Sequence, residues 1–268
     1  MTKPTFVSAL FNIDRVDGRK WDQYLKWFEE TLKLQVPMVL FIEKELQDFI
    51  DEKRGDLPTQ TIYQTIEDIP YYNLKDKIQG ILDSDEYKEK MSDTDRIECK
   101  QAMYSVIQYS KFPWLQQAIG LNPHKSDIFF WLDAGGSRFF NNFDLTEPYP
   151  GTAAMESLEE MGESFLIQMN CEYYRDLYEA EELDESYLYD NRSYVLGSMF
   201  GGFKYAVERV SDMVEEIFLK EMIDNDLVNN EQIALGYLIK KYPDEFALYE
   251  RTNGKHMDIF RELGEEEE

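Results

Sequence analysis

The sequence predicts an α/β protein built on a mostly parallel sheet. Two observations carry that prediction. Apolar runs and helix-period stretches alternate through the first 66 residues as strand, helix, strand, helix, strand. A further run at 128–132, Ile-Phe-Phe-Trp-Leu, is apolar at every position, as a strand buried on both faces is, and it stops at Asp133.

Each element has its own reason. Residues 6–11 form a short apolar run that ends at Asn12, which fits a buried strand. Trp21, Tyr24, Leu25, Trp27, Phe28 and Leu32 recur at helical spacing, predicting a helix over 21–34 that Pro37 closes. Residues 36–42 read as a second buried strand, 44–53 as a helix, and 61–66 as a third strand closed by Ile69-Pro70. Residues 73–120 read as a helical insertion, ending in an amphipathic helix over 97–109 and a second segment over 113–119. After the strand at 128–132 comes Ala134-Gly135-Gly136. Residues 143–192 are acidic and irregular, with one strand expected at 165–171. The Glu-rich stretches there, 156–163 and 179–185, read as solvated faces. A strand over 194–200 ends in Gly201-Gly202, and helices follow over 203–221 and 231–241. No internal repeat or Gly/Ser/Pro linker interrupts the chain, so a single domain over 1–260 is expected, with an acidic tail over 261–268.

Composition narrows the chemistry. With 43% hydrophobic and 15% aromatic residues, 268 residues can bury a substantial core. Lys and Arg number 28 against 54 Asp and Glu, a net charge of −26. That field repels phosphate backbones, so no nucleic-acid partner is expected, and anionic membrane surfaces are disfavoured. A small anion still binds where a local cation or metal offsets the field. The two histidines, His124 and His256, and two cysteines, Cys99 and Cys171, lack the close pairs of a structural zinc site. Lone, widely spaced cysteines suit a reducing compartment. The first residues lack the apolar core of a signal peptide, and no run of about 18 apolar residues predicts a membrane span. The expectation is a cytoplasmic protein with no integral membrane segment.

Asp133 is the sharpest chemical signal. A parallel strand delivers its last residue to the carboxyl edge of the sheet, where α/β proteins bind ligands. A carboxylate there suits a large ligand or a hard divalent ion, Mn²⁺ or Mg²⁺; the alternative is an Asp capping the next turn. Lys111, amid Tyr109-Ser110-Lys111-Phe112-Pro113-Trp114, is a point charge for phosphate or a snorkelling surface lysine. Arg15, past the first strand, offers a planar fork for phosphate or an ordinary surface ion pair, and Arg138 has the same two readings. Gly197 to Gly202 is glycine-rich but matches neither a P-loop nor Gly-x-Gly-x-x-Gly, and no Gly-x-Ser-x-Gly elbow occurs. Asn229-Asn230-Glu231-Gln232 reads as a helix cap with Glu231 in the first turn, or with Glu231 facing the site as a base. His256 is an exposed terminal residue or a late metal ligand, and His124 is loop chemistry. Trp21, Tyr24 and Trp27 are assigned to the core.

Taken in order, residues 6–15, 37–43, Ser110-Lys111, Asn122-Pro123, Phe130-Trp131-Leu132-Asp133-Ala134-Gly135, Met199-Phe200-Gly201-Gly202, Asn230-Glu231-Gln232 and Tyr242-Pro243-Asp244 resemble the HtrL/YibB family. The resemblance runs from about residue 5 to 250, and Trp-Leu-Asp-Ala-Gly with the upstream Ser-Lys is its most specific part. It implies a GT-A-like, Rossmann-like three-layer α/β/α sandwich, in a family whose bacterial members are associated with surface-polysaccharide loci. It implies transfer of a sugar from a nucleotide-sugar donor, UDP-linked, to a saccharide or glycan acceptor. The Asp-x-Asp metal motif of such enzymes corresponds to Asp133-Ala134-Gly135, which lacks the second carboxylate. By the same resemblance Asp133 and His256 hold a divalent metal, Mn²⁺ or Mg²⁺. Ala9, Phe11, Asn12 and Arg15 hold the nucleobase and diphosphate, Lys111 lies near the phosphates or Asp133, and Gly201 and Gly202 line the sugar pocket. Glu231 falls where inverting members carry their base. Two other functions compete: a non-catalytic nucleotide-sugar or sugar-binding protein on the same fold, and an acidic scaffold for a basic partner.

Overall fold

A computed structural model describes residues 3–139, 145–147, 149–179, 183, 185–250 and 259–260. The chain opens with β1 (Thr5–Leu10), α1 (Trp21–Thr31), β2 (Met38–Ile42), α2 (Gln47–Arg54) and β3 (Thr59–Tyr63). Then come α3 (Lys75–Asp83), α4 (Asp85–Lys90), α5 (Ala102–Leu121) and β4 (Ile128–Leu132). The second half adds α6 (Thr152–Glu160), β5 (Phe165–Met169), α7 (Cys171–Glu179), β6 (Val195–Phe203), α8 (Lys204–Glu216), α9 (Glu231–Lys241) and β7 (Phe246–Glu250).

The seven strands of the described residues join one sheet in the order β3-β2-β1-β4-β6-β5-β7. β6 alone runs against its neighbours β4 and β5, and every other pairing is parallel. Side chains alternate across the sheet. Val7, Val39, Phe41, Phe129, Trp131 and Phe200 pack towards α3, α5, α8 and α9. Phe6, Leu10, Leu40, Phe130, Leu132 and Met199 pack towards α1, α2 and α6. The result is a Rossmann-like three-layer α/β/α sandwich, with the mostly parallel sheet that the strand pattern predicts and the layering that the resemblance implies. Among the described residues no helix is long and apolar enough to cross a membrane.

Local chemistry explains where elements differ from expectation. β3 stops at Tyr63 because Thr65 and Asp68 cap a following 3-10 turn. No break separates 97–109 from 113–119. α5 starts at Ala102 and runs unbroken to Leu121 with Pro113 inside it. Losing one N–H to proline costs about 3 kcal/mol. Tyr109, Phe112, Trp114 and Leu115 of the same turns are buried completely, and each contributes roughly 1.5–3 kcal/mol, so burial outweighs the proline. α5 packs directly on β1 and β4 and so supplies a layer of the sandwich within the helical stretch 73–120.

The acidic region 143–192 holds two helices, α6 and α7, beside the expected strand. In α6 only Ala154 and Leu158 are buried, one turn apart, so the glutamates are its solvated face. Arg54, at the end of α2, ties together the chain segments that lead into β2 and β3. It is buried, and its guanidinium donates to the carbonyls of Leu32, Leu34, Val36 and Pro58.

Candidate functional site

The sheet is built outward from β1 in one direction, to β2 and β3, and then resumes on β1's other side at β4. The carboxyl ends of β1 and β4 are therefore the topological switch point, where open α/β sheets bind ligands. A cavity of about 920 Å³ opens there. It is at the upper end of the roughly 300–1,000 Å³ of small-molecule sites. Ala9, Phe11, Asn12, Arg15, Lys111, Asp133 and Glu231 all line it.

Asp133 follows the last residue of β4, and Trp131 lies two residues earlier on the same side. That spacing lets the Trp131 indole N–H donate to Asp133 Oδ1 at 2.7 Å. The indole is fixed beneath the cavity by a parallel stack in which Trp114 lies between Phe11 and Trp131, 5.7 and 5.9 Å from their rings. Backbone bonds from Asp133 N–H to Ser198 and from Gly136 N–H to Asp133 hold the turn. The Asp133 side chain is 31% exposed.

α5 presents Tyr104, Ile107, Gln108 and Lys111, one helical stripe, to the cavity. Lys111 is buried, not snorkelling. Its ammonium donates to Glu231 Oε1 at 2.7 Å and the Gly197 carbonyl at 2.8 Å, and pairs with Asp133 Oδ1 at 3.0 Å. Three donors meet three protein acceptors, so the ammonium is saturated. Trp131 and Phe200 rings lie 5.7 and 6.0 Å from it. Burial alone would lower the lysine's pKa, but the charges of Asp133 and Glu231 outweigh it and hold the value above the ordinary one.

Glu231 opens α9, capped by the Asn230 side chain on the Ile233 N–H. It is 1% exposed, so it is not a solvent-facing first-turn glutamate. Burial pushes its carboxyl above the usual range, with Asp133 adding to the rise and Lys111 opposing it. Glu231 Oε2 and Gln108 Oε1 are buried without a hydrogen-bond partner among the described residues. Gly197 is required here, because a Cβ would overlap Glu231 Oε1.

The segment between β1 and α1 supplies Arg15, Arg19 and Lys20 to a cationic wall, and the 3-10 turn after β4 adds Arg138. Arg15 is held by its neighbours on several sides. It grips Asp17 through two nitrogens at 3.0 and 2.6 Å, donates to the Tyr24 hydroxyl at 2.7 Å, and lies 4.6 Å from the Tyr104 ring. Burial alone would lower its pKa, but the Asp17 contact raises it. Arg138 donates to the Gly135 carbonyl at 2.9 Å and lies over the Trp27 ring. Four cations gathered on one wall contrast with a chain of net charge −26.

Several expectations change. Gly201 and Gly202 do not line the cavity. They are paired inside the sheet with Phe130 and Phe129 on one side and Leu166 and Phe165 on the other. A Cβ at Gly201 would strike the β4 backbone, so these glycines serve strand packing. Trp21 and Tyr24 are half-buried residues of the cavity wall rather than core. His124 bonds the Met38 carbonyl, at the start of β2 and away from the strands' carboxyl edge. His256 lies outside the described residues. Gln108 and Ser193 are not among the residues singled out from sequence, and Gly197 and Gln232 enter there only as members of the stretches 197–202 and 229–232. The polar stripe Tyr104, Gln108, Lys111 within an apolar helix is the signal that marks Gln108.

Among the described residues no three His, Cys, Asp or Glu side chains are grouped to hold a metal ion. Asp133 Oδ1 is occupied by Lys111 and Trp131, which leaves Oδ2 as the carboxylate's second acceptor in a residue that lines the cavity. A family model described as "Bacterial protein of unknown function (HtrL_YibB)" matches residues 2–264. No curated protein matches the chain.

Proposed function

The chain belongs to the HtrL/YibB family, and we propose that it is a nucleotide-sugar-dependent glycosyltransferase of GT-A-like build. One observation carries the reading: a cationic wall stands beside a carboxylate pair bridged by Lys111, at the switch point of the sheet.

The parts divide the work. Ala9 to Asn12 flank the nucleoside, and Arg15, Arg19, Lys20 and Arg138 offset the donor diphosphate. Lys111, with all three donors committed, is the counter-ion of the two carboxylates rather than a phosphate ligand. Asp133 meets the donor through Oδ2. One accessible carboxylate does not make a resident metal site, but it suits Mn²⁺ or Mg²⁺ carried in on the diphosphate. Such an ion would add Lewis-acid stabilisation of the departing phosphate.

In a direct displacement the acceptor hydroxyl attacks the sugar's anomeric carbon while the bond to the diphosphate breaks. The hydroxyl proton passes to Glu231 Oε2, whose raised pKa suits a base. The new charge on the nucleoside diphosphate falls against the cationic wall. Oε2 is buried and has no hydrogen-bond partner among the described residues, so the proton transfer requires Glu231 to turn this oxygen towards the acceptor.

A second reading, a nucleotide-sugar-binding protein without catalysis, draws on Gly135 standing where a second carboxylate is expected. Incubation with a panel of nucleotide sugars and Mn²⁺, following free nucleoside diphosphate, separates the two. Release that disappears in Asp133→Ala supports the transferase. Binding with no release across the panel and with added saccharides overturns it in favour of the binding protein.

A further inference from the structure

The cavity has a chemical axis set by strand order. Along the edge it crosses β1, β4, β6 and β5 in turn, three inter-strand steps of about 4.8 Å, or roughly 14 Å in all. Arg15 follows β1, and Asp133 follows β4. Ser193 precedes β6 and Asn170 follows β5. All four line the cavity.

The two ends differ in kind. The β1 end carries Arg19, Lys20 and Arg138 beside Arg15, which is itself paired with Asp17. The β6–β5 end carries Asn170, Ser193, Ser198 and Gln232, all neutral amides and hydroxyls. Ser193 Oγ donates to Gln232 Oε1 at 2.9 Å, which turns the Gln232 amide and leaves its NH₂ to donate into the cavity. Arg192, next to Ser193 in the chain, is paired with Asp190 and Asp176, and Arg96, which lines the cavity, is paired as well. It pairs with buried Glu98 at 2.6 Å and donates to the Asn191 carbonyl. Such an end offers no fixed positive charge to a carboxylate or phosphate, and the chain's net charge of −26 repels an anion on approach. Amides and hydroxyls pair well with the mixed donors and acceptors of sugar hydroxyls.

We propose that the β6–β5 end is the acceptor subsite and takes an uncharged saccharide, read by Gln232 as oriented by Ser193 and by Asn170. This rests on the transferase reading for the word acceptor, but its chemistry is separate from the diphosphate wall. Gln232 is one residue from Glu231, so a hydroxyl held there lies beside the base.

The test uses the full chain saturated with UDP and Mn²⁺. Saturation-transfer difference NMR is recorded with uncharged oligosaccharides and with their uronic-acid and phosphorylated counterparts. The expected result is binding of at least one uncharged sugar over its charged counterparts. That binding weakens at least tenfold in Gln232→Ala, while the UDP-induced thermal shift persists. Preference for the charged sugars, no sugar binding despite a UDP shift, or sugar binding untouched in both Gln232→Ala and Ser193→Ala overturns the inference alone. If UDP and the other nucleoside diphosphates produce no shift but an uncharged sugar binds through Gln232, the subsite stands and the transferase reading falls. If neither binds, both fall.

Discussion

Lys111 and Glu231, 120 residues apart in sequence, meet in an ion pair of 2.7 Å with side chains 5% and 1% exposed. Desolvating two charges this fully is costly, and the attraction between them offsets it only with good geometry and further hydrogen bonds. Both conditions hold at Lys111, through the Gly197 carbonyl and Asp133. The pair joins α5 to α9 and fixes Asp133 at the end of β4, so fold and site share one element.

Removing one partner leaves a buried charge. Lys111→Met is expected to destabilise the chain by about 3–5 kcal/mol in urea unfolding, and Lys111→Met with Glu231→Gln by clearly less. Equal losses in the single and double variants would remove the pair from the account.

Gly197 touches no reacting atom in this scheme, but its missing Cβ makes room for Glu231 Oε1. Gly197→Ala should lower kcat by about tenfold or more while leaving nucleoside-diphosphate affinity within about threefold, by the arithmetic of roughly 1.4 kcal/mol per decade. Steady-state kinetics with a nucleotide sugar checks this. A loss confined to nucleotide binding would contradict it.

The raised pKa of Glu231 has a definite sign in stability. A carboxyl whose folded pKa exceeds its unfolded value of about 4.3 contributes stability below that value. The contribution is lost as pH rises through the folded pKa. Glu231→Gln keeps an acceptor for Lys111 and escapes the loss. Its melting temperature relative to wild type should therefore climb as pH rises above about 4. A constant or falling difference in thermal scans would contradict the assignment. The same ionisation should set an acid limb in the pH–rate profile, above the ordinary carboxylate range.

Because the described residues lack a preformed metal cluster, Mn²⁺ alone should leave the melting temperature unchanged, whereas Mn²⁺ with UDP should raise it more than UDP alone. Tight binding of Mn²⁺ without nucleotide, seen by calorimetry, would show a resident site instead.

Much of this was readable in advance where one local rule dominated. β1, β2 and β4 are runs so apolar that burial on both faces follows, and Asp133 at a strand end follows from them. α9 begins at Glu231 because Asn230 is a natural cap. What failed needed tertiary information. Gly201-Gly202 looks like a ligand loop, but tight packing against Phe129 and Phe130 explains it. Pro113 looks like a helix stop until the burial of its neighbours is known. Tyr24 looks like core until Arg15 is found against its hydroxyl. β7 is as short as β2 but stands alone between the charged stretches 240–245 and 250–251, with no strand-helix alternation around it, and its pairing with β5 defines it.

The central claim is that the switch-point cavity binds a nucleoside diphosphate through the Asp133 side of the site. The direct measurement is a thermal-shift titration of wild type and Asp133→Ala with UDP, other nucleoside diphosphates and nucleotide sugars, with and without Mn²⁺. A ligand at one hundred times its Kd should add about 2.7 kcal/mol of stability. The account predicts a shift with one base, enhanced by Mn²⁺ and abolished in Asp133→Ala. No shift with any nucleotide, or an equal shift in the variant, would contradict it.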